Sequence, residues 1–469
     1  MNRILPLVLA VALFMEHMDS TVISTALPEI AADIGTSPVA LKLALTAYLV
    51  SLAIFIPISS WMADRFGARL VFRIAIAVFI TGSVLCALSG SLSAFVFSRF
   101  LQGMGGAMMT PIARLMLVRA TPKSELVSAM AWLTIPALVG PLVGPPVGGF
   151  ITTFFSWHWI FLINVPIGIA GILLAGRVLP KIEPEGARSI DLVGFALSAL
   201  AASGVVFGLS VISLPALPPI VGVLTTIAGA ICAVLYVWHA RRTPMPLLDF
   251  RLFRNATFRA AITGGGLFRI GAGAVPFLLP LMFQLGFGMT PFQSGMLTFA
   301  SAMGAIAMKF VAPQTLRIGG FRTVLIAASL LGAAFIAANA FFTPGTPAWV
   351  IIAVLFGSGF LRSMFFTSAN ALVFADLGPS EVSQATAISA VTQQITIALG
   401  VAVAGGVLEA TMFVTGEPLG LHAFSIAFFT VAGLTALSVL TFVGMPRHAG
   451  SAVSGHRRRQ PSGEPPQEM

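Results

Sequence analysis

Apolar residues fill this chain in runs of about 20, each long enough at about 1.5 Å per residue to cross the roughly 30 Å hydrocarbon layer of a bilayer. Fourteen such runs, parted by polar gaps, cover about 4–27, 42–62, 71–91, 95–118, 126–153, 158–179, 190–210, 217–238, 258–283, 292–312, 323–342, 348–373, 384–411 and 421–445. In hydrocarbon only helices and closed barrels satisfy every backbone group, and runs of this length predict helices. The expected fold is all-α and polytopic, with both termini on one side because the number of crossings is even. The first run carries Glu16 and Asp19 and ends at Pro28 without a small-x-small cleavage site, so it reads as a retained span.

The gaps group the runs. Two long polar connections, 180–189 and 239–257, bracket two helices with few polar residues and leave six helices on either side. The expected organisation is a six-helix bundle over 1–180, two extra transmembrane helices with their flanking loops over 181–257, and a second six-helix bundle over 258–446. The tail 447–469, which holds Arg457 to Arg459 and lacks apolar periodicity, is expected to be disordered. A weak internal repeat supports two related bundles. Asp64-Arg65-Phe66-Gly67-Ala68-Arg69 follows the second run and Arg317-Ile318-Gly319-Gly320-Phe321-Arg322 follows the corresponding later run, sharing the Gly-x-Arg ending.

Composition agrees with a membrane protein: 57% of residues are apolar and 9% charged, against roughly a quarter charged in soluble proteins. The formal net charge of +10 might suggest nucleic acid, but its placement excludes that. With a cytoplasmic N-terminus, 20 of the 26 basic residues, from Arg3, Arg65 and Arg69 through Arg241, Arg242, Arg251 and Arg254 to Arg459, fall in cytoplasmic gaps or tails. Such a bias is the positive-inside rule, and it predicts cytoplasmic termini. Lys42 sits at an outer-facing end, Arg114 and Lys309 lie near cytoplasmic ends where they can snorkel, and Arg99, Arg269 and Arg362 lie deeper. Cys86 and Cys232 lie inside apolar runs and support neither a disulfide nor a metal site.

Ionisable groups within the runs are the functional candidates, since charge in hydrocarbon is costly. Asp19 lies about 13 Å from the outer end of its helix. Glu16, three residues earlier, shares its face. Burial and a neighbouring like charge both favour the protonated form of a carboxyl, so the pair could take a proton from one side and release it to the other. The alternative, a structural carboxylate paired with an arginine, does not exclude that role. Arg99, in Arg99-Phe100-Leu101-Gln102-Gly103-Met104-Gly105, descends to a comparable depth and is the expected partner. Arg269 and Arg362 should face a cavity or a partner, binding an anionic group or pairing with a carboxylate, and Gln393 and Gln394 are candidate cavity liners. The fifth run contains Gly140-Pro141-Leu142-Val143-Gly144-Pro145-Pro146-Val147-Gly148-Gly149, where breakers predict a helix that bends or packs closely.

These motifs together resemble the major facilitator superfamily, and within it the fourteen-helix drug:proton antiporters. Met18-Asp19-Ser20-Thr21-Val22-Ile23 and onward to Pro28 resembles the first-helix signature L-D-x-T-I-V-N-V-A-L-P. Asp64 to Arg69 is similar to the signature loop G-x-L-A-D-R-x-G-R-K, with Ser60 and Leu70 departing from it, and the Arg99 segment resembles R-x-x-Q-G-x-G. Trp157-His158-Trp159-Ile160-Phe161-Leu162-Ile163-Asn164 resembles the sixth-helix W-R-W-I-F-x-I-N, with His158 replacing the arginine. Gly140, Gly144, Pro145, Gly148 and Gly149 match the fifth-helix motif that marks exchangers.

The resemblance implies a proton-coupled antiporter of the cytoplasmic membrane that exports amphipathic drugs or toxic small molecules by alternating access. Asp19, Glu16 and Arg99 would couple protons, and Asp64, Arg65, Gly67 and Arg69 would form a gating loop. It implies no cofactor beyond the proton gradient and no nucleic-acid partner, and it leaves room for accessory periplasmic or outer-membrane proteins. The rival readings are an exporter of an organic anion or metabolite using Arg269 and Arg362, an uptake symporter, and a membrane enzyme or non-transporting sensor.

Overall fold

The computed structural model describes residues 4–122, 125–180, 190–214, 217–378, 381–446 and 449–450. The 181–189 connection, Arg3, Lys123, Lys181, Arg188 and Arg447, and the tail beyond 450 lie outside the described residues.

Helices begin where a polar residue can receive the free N–H groups of a first turn. Ser91, Asp191 and Asn255 each accept such a bond, and Thr290 with Gln293 forms a reciprocal capping box. The first bundle starts with α1 (Ile4–Val22), extended by a 3-10 turn Ile23–Thr25, followed by α2 (Lys42–Phe66) and α3 (Ala68–Ala87). Next come α4 (Leu92–Ala120), α5 (Leu126–Phe154) and α6 (Trp159–Val178). The extra pair is α7 (Leu192–Val211) and α8 (Pro219–Arg242), and α9 (Ala256–Leu281) follows. The hydrogen-bonded run Pro291–Ala338 is broken at Gly320, giving α10 (291–319) and α11 (321–338). The last three are α12 (Ala348–Val373), α13 (Val382–Thr415) and α14 (Leu421–Val443).

Among the described residues, thirteen helices are long and apolar enough to cross a membrane by length and composition. The fourteenth run expected from sequence is α4, which carries Arg99, Gln102, Arg114 and Arg119. Its 29 residues reach about 44 Å at 1.5 Å per residue, and it packs between α2 and α3. Its polarity is internal chemistry, and its length still suits a span.

Packing repeats along the chain. Contacts of α1 with α5, α2 with α4, α3 with α4 and α3 with α6 recur as α9 with α13, α10 with α12, α11 with α12 and α11 with α14. Between the two sets, α5 meets α10 and α2 meets α13, which are the same contact under that repeat. Helices α7 and α8 pack on each other, and α7 touches both α2 and α13.

At the end of the molecule away from the chain termini, one apolar core runs through both sets, from Val22, Ile30 and Trp157 to Phe277, Phe283 and Phe424. Nearer the termini one core draws on the first six helices alone and another is built mainly from α9 to α14.

The repeated loop has a backbone reason. Gly67 (φ 87°) and Gly320 (φ 67°) sit at equivalent joints between α2 and α3 and between α10 and α11. Both combine positive φ with extended ψ, a region open essentially to glycine alone. Replacing either by alanine should cost about 1–3 kcal/mol; thermal unfolding of Gly67→Ala and Gly320→Ala in detergent checks this, with a lowered midpoint expected in both.

Candidate functional site

Four helices deliver one buried polar cluster. Asp19 comes from α1, Ser83 from α3, Arg99 and Gln102 from α4 and Asn164 from α6, each 0–1% exposed apart from their shared partners. Arg99 Nη1 donates to Asp19 Oδ2 at 2.7 Å, and the other carboxylate oxygen accepts from Gln102 Nε2 at 2.8 Å and Asn164 Nδ2 at 2.9 Å. Both amides also donate to Ser83 Oγ, at 2.7 and 3.2 Å, and Arg99 Nη1 reaches Gln102 Oε1. The guanidinium lies 4.2 Å from the Tyr48 ring centroid. A buried ion pair offsets its desolvation only when its remaining donors and acceptors are met; here both carboxylate oxygens are, while Arg99 Nε and Asn164 Oδ1 have no hydrogen-bond partner among the described residues.

The expected depth match between Asp19 and Arg99 is therefore a direct contact. Both carboxylates of α1 face α4, but at different levels: Glu16 Oε2 accepts from Thr110 Oγ1 at 2.8 Å. Glu16 lines a cavity of about 300 Å³ together with His17, Tyr48, Arg99, Arg362, Gln393 and Gln394. Its walls come from α1, α2, α4, α9, α12 and α13, so it lies between the two sets of six. Arg99 touches both environments, bonded to Asp19 on one side and bordering the cavity on the other.

Arg269 and Arg362 part company. Arg362 lines the cavity and donates to Ser301 Oγ at 3.2 Å. Arg269 does not reach that cavity: it is 4% exposed, donates to Asn370 Oδ1 at 2.7 Å and lies 5.1 Å from the Phe366 ring. The partner of Arg269 is thus a neutral amide oxygen where a carboxylate or an anionic group was expected.

The fifth helix stays helical through Pro136, Pro141, Pro145 and Pro146, so of bending or close packing, the packing is what it displays. Gly140, Gly144 and Gly148 recur every four residues against α1, and a Cβ on them would meet Phe14 O, Thr21 Oγ1 and Val22 O. Gly149 is pressed on the Pro291 carbonyl of α10, and Gly295 of α10 on the Pro145 carbonyl. In the signature loop, Asp64 pairs with Arg119 at the end of α4 at 3.0 Å, and that bridge comes from a neighbouring helix instead of the loop's own Arg65 or Arg69. Arg65 is exposed and Arg69 half-buried. His158 stacks on Trp157 at 3.8 Å, and its Nε2 lies 3.8 Å from Asp33, in the place left open by the missing arginine.

Sequence reasoning quoted Gln102 and Asn164 within motifs without giving them a role; their signal was an amide inside an apolar run. It missed Glu409 of α13, an intramembrane acid, and although it placed Lys42 at the end of its run, it did not foresee that Lys42 is fully buried there and paired with Glu409. Among the described residues no group of three or more His, Cys, Asp and Glu could hold a metal ion.

Helices carrying a buried charge cluster beside a cavity between two repeated sets describe a membrane carrier. The chain belongs to the Major Facilitator Superfamily, whose family model matches residues 9–401, and it is a transporter and not an enzyme. It is 36% identical over 440 residues to a protein named putative multidrug resistance protein MdtD of Pectobacterium atrosepticum, covering 94% of this chain and 93% of that one. The protein of the same name from Yersinia enterocolitica is 34% identical over 449 residues, 95% of each chain. Among solved structures, that of the POT family transporter PepTSo superposes with a TM-score of 0.70 at 12% identity, over 94% of this chain and 97% of that one.

Removing one member of a buried ion pair typically costs about 3–5 kcal/mol, because the other charge is stranded. Arg99→Leu should therefore lower the unfolding midpoint. Asp19→Asn combined with Arg99→Leu should recover stability relative to Arg99→Leu alone; a double-mutant cycle of melting temperatures measures the coupling.

Proposed function

We propose that the chain is a proton-coupled antiporter that exports amphipathic small molecules across the cytoplasmic membrane by alternating access, with both termini in the cytoplasm. The observation that carries this reading is the shared position of Arg99, bonded to the sealed carboxylate of Asp19 and bordering the cavity that Glu16 faces. A proton reaching Asp19 weakens its hold on the arginine, one reaching Glu16 removes the like charge beside Asp19, and a substrate entering the cavity meets Glu16 and Arg99. Such competition for one set of groups is what exchange requires. Each proton moving inward supplies about 2.3 kcal/mol per 100 mV.

In this proposal the units 1–180 and 258–446 rock against each other, 181–257 contributes the extra pair, and Asp64 with Arg65, Gly67 and Arg69 shapes the cytoplasmic gate. The names of the relatives support drugs or toxic compounds as the substrate class. The positive-inside bias supports the orientation. Accessory periplasmic or outer-membrane proteins would be partners only if export must pass a second membrane.

A second reading, export of an organic anion, is favoured by Arg362, whose guanidinium borders the cavity beside Gln393 and Gln394 with a serine as its hydrogen-bond partner. Arg269, bonded to Asn370, is the weaker half of that reading.

Everted membrane vesicles test both. An imposed proton gradient should drive uptake of a cationic dye by the parent, and Asp19→Asn should abolish proton-linked movement while the protein still inserts; unchanged proton-linked transport in that variant would remove Asp19 from the mechanism. A carboxylate probe moved in place of the dye, and lost on Arg362→Gln, would favour the second reading.

A further inference from the structure

The proton-coupling reading leaves unused a second pair of charges buried where the two sets of six meet. Lys42 opens α2 and is 0% exposed; Glu409, near the end of α13, is 8% exposed. Lys42 Nζ donates to Glu409 and also, at 3.0 Å, to Ser213 Oγ, while Ser213 itself donates to the same carboxylate oxygen. Ser213 belongs to neither set: it follows α7 in the connection to α8. Three parts of the molecule meet at one carboxylate oxygen.

The slot is built for this contact. A Cβ on Gly405 of α13 would overlap Lys42 Cδ, so the absence of a side chain there lets the lysine stem lie against the helix. Gly406 leaves space beside Ser213 Oγ, 3.6 Å from where its Cβ would be. The contact lies at the end away from the termini, as do two others that cross between the sets. Gln284 Nε2 donates to the Thr25 carbonyl at 2.9 Å, and the Phe292 N–H donates to Thr153 Oγ1 at 3.0 Å. The shared apolar core occupies that same end.

A buried ion pair is poor glue, because the attraction gained roughly balances the hydration lost. That balance suits a contact that must open. When α2 and α13 separate, water returns to both charges, whereas an apolar seam would be exposed with nothing returned. Closed, the pair fixes register: Lys42 has one partner within reach, and a misaligned seam would strand a charge.

We infer that Lys42, Glu409 and Ser213 form the latch of the gate opposite the termini, positioning residues that hold α2, α13 and the α7–α8 connection together while the cavity is closed on that side. The extra helix pair is on this account a part of the gate. The inference rests on the alternating-access reading for its purpose, but not for its test. Removing one charge leaves the other buried without a partner, and opening the gate is then the way to hydrate it. Removing the serine loosens the tie to the extra pair.

The test is a distance between the two sets. Spin labels on Ser37→Cys and Glu417→Cys, both exposed at that end, are introduced into the full chain with Cys86→Ala and Cys232→Ala, and the separation is measured by pulsed electron resonance in lipid nanodiscs. Glu409→Gln and Lys42→Met should each raise the ratio of long to short distances at least tenfold, and Ser213→Ala by a smaller factor. The exchanged pair Lys42→Glu with Glu409→Lys should restore the short distance. Gly405→Val, which fills the slot and leaves every charge in place, should reproduce the opening even if a charge variant fails to fold. Distances unchanged in Glu409→Gln and Gly405→Val would overturn the latch. Distances that shift in a protein without proton-linked dye transport would leave the latch standing and overturn the antiport reading.

Discussion

The structure depends on one constraint: a carboxylate placed in hydrocarbon has to be met by donors from several helices at once. Asp19 meets it with Arg99, Gln102 and Asn164, and with Ser83 beside them that convergence requires α1, α3, α4 and α6 to approach closely. Glycines make the approach possible. A Cβ on Gly82 of α3 would strike the backbone of Gln102, one on Gly105 of α4 the Phe79 N–H and Ala75 carbonyl, and one on Gly103 the Tyr48 carbonyl of α2. The Arg-x-x-Gln-Gly-x-Gly segment is thus two devices on one helix: polar residues that satisfy the acid, and small ones that bring the neighbouring backbones within their reach.

Separating Asp19 from Glu16 by less than one helical turn gives them different surroundings. Asp19 is enclosed, with both oxygens bonded, whereas Glu16 has a threonine hydroxyl and borders the cavity. The two carboxylates repel each other across that short separation, so a change of charge at the accessible one is felt at the enclosed one without large movement. In the proposed cycle this divides the work: Glu16 meets what enters the cavity, and Asp19 holds the helices that must respond. Coulomb attraction at these separations is much stronger than in water, which makes a single proton sufficient to alter the balance.

How much of this was legible follows from how local each signal is. The helices could be read because hydrocarbon imposes length and polarity on every span, and the two loop glycines because a Gly-x-Arg ending marks a joint that needs a backbone only glycine adopts easily. Asp19 and Arg99 could be paired by depth, since each lies a countable number of residues from its helix end. Depth did not identify the partner of Arg269, because Asn370 carries no charge and is 101 positions away. Nor did it reveal that Lys42 is buried. A lysine at the start of an apolar run looks like an interfacial residue until Glu409, 367 positions later, is brought against it, and no local pattern carries that meeting. The fifth run shows another limit: its breakers allowed either a bend or close packing, and the close packing is visible only once α1 and α10 lie against its glycines.

The glycine face of that helix also clarifies why small residues sit at both of its contacts. Against α1, Gly140, Gly144 and Gly148 make a seam within one set of six, and Gly400 of α13, set against the Ile270 carbonyl of α9, is its counterpart in the other. Against α10, Gly149 and Pro145 make a seam between the sets, mirrored by α2 and α13. In the proposed cycle the first kind persists and the second parts. Backbone packed directly on backbone serves both needs, since close van der Waals contact is strong while it lasts. It also separates without pulling interlocked side chains from their holes. What tells the two seams apart is then the polar contact placed beside each: the enclosed Asp19 cluster beside the seam that stays, and the rehydratable Lys42–Glu409 pair beside the interface that opens.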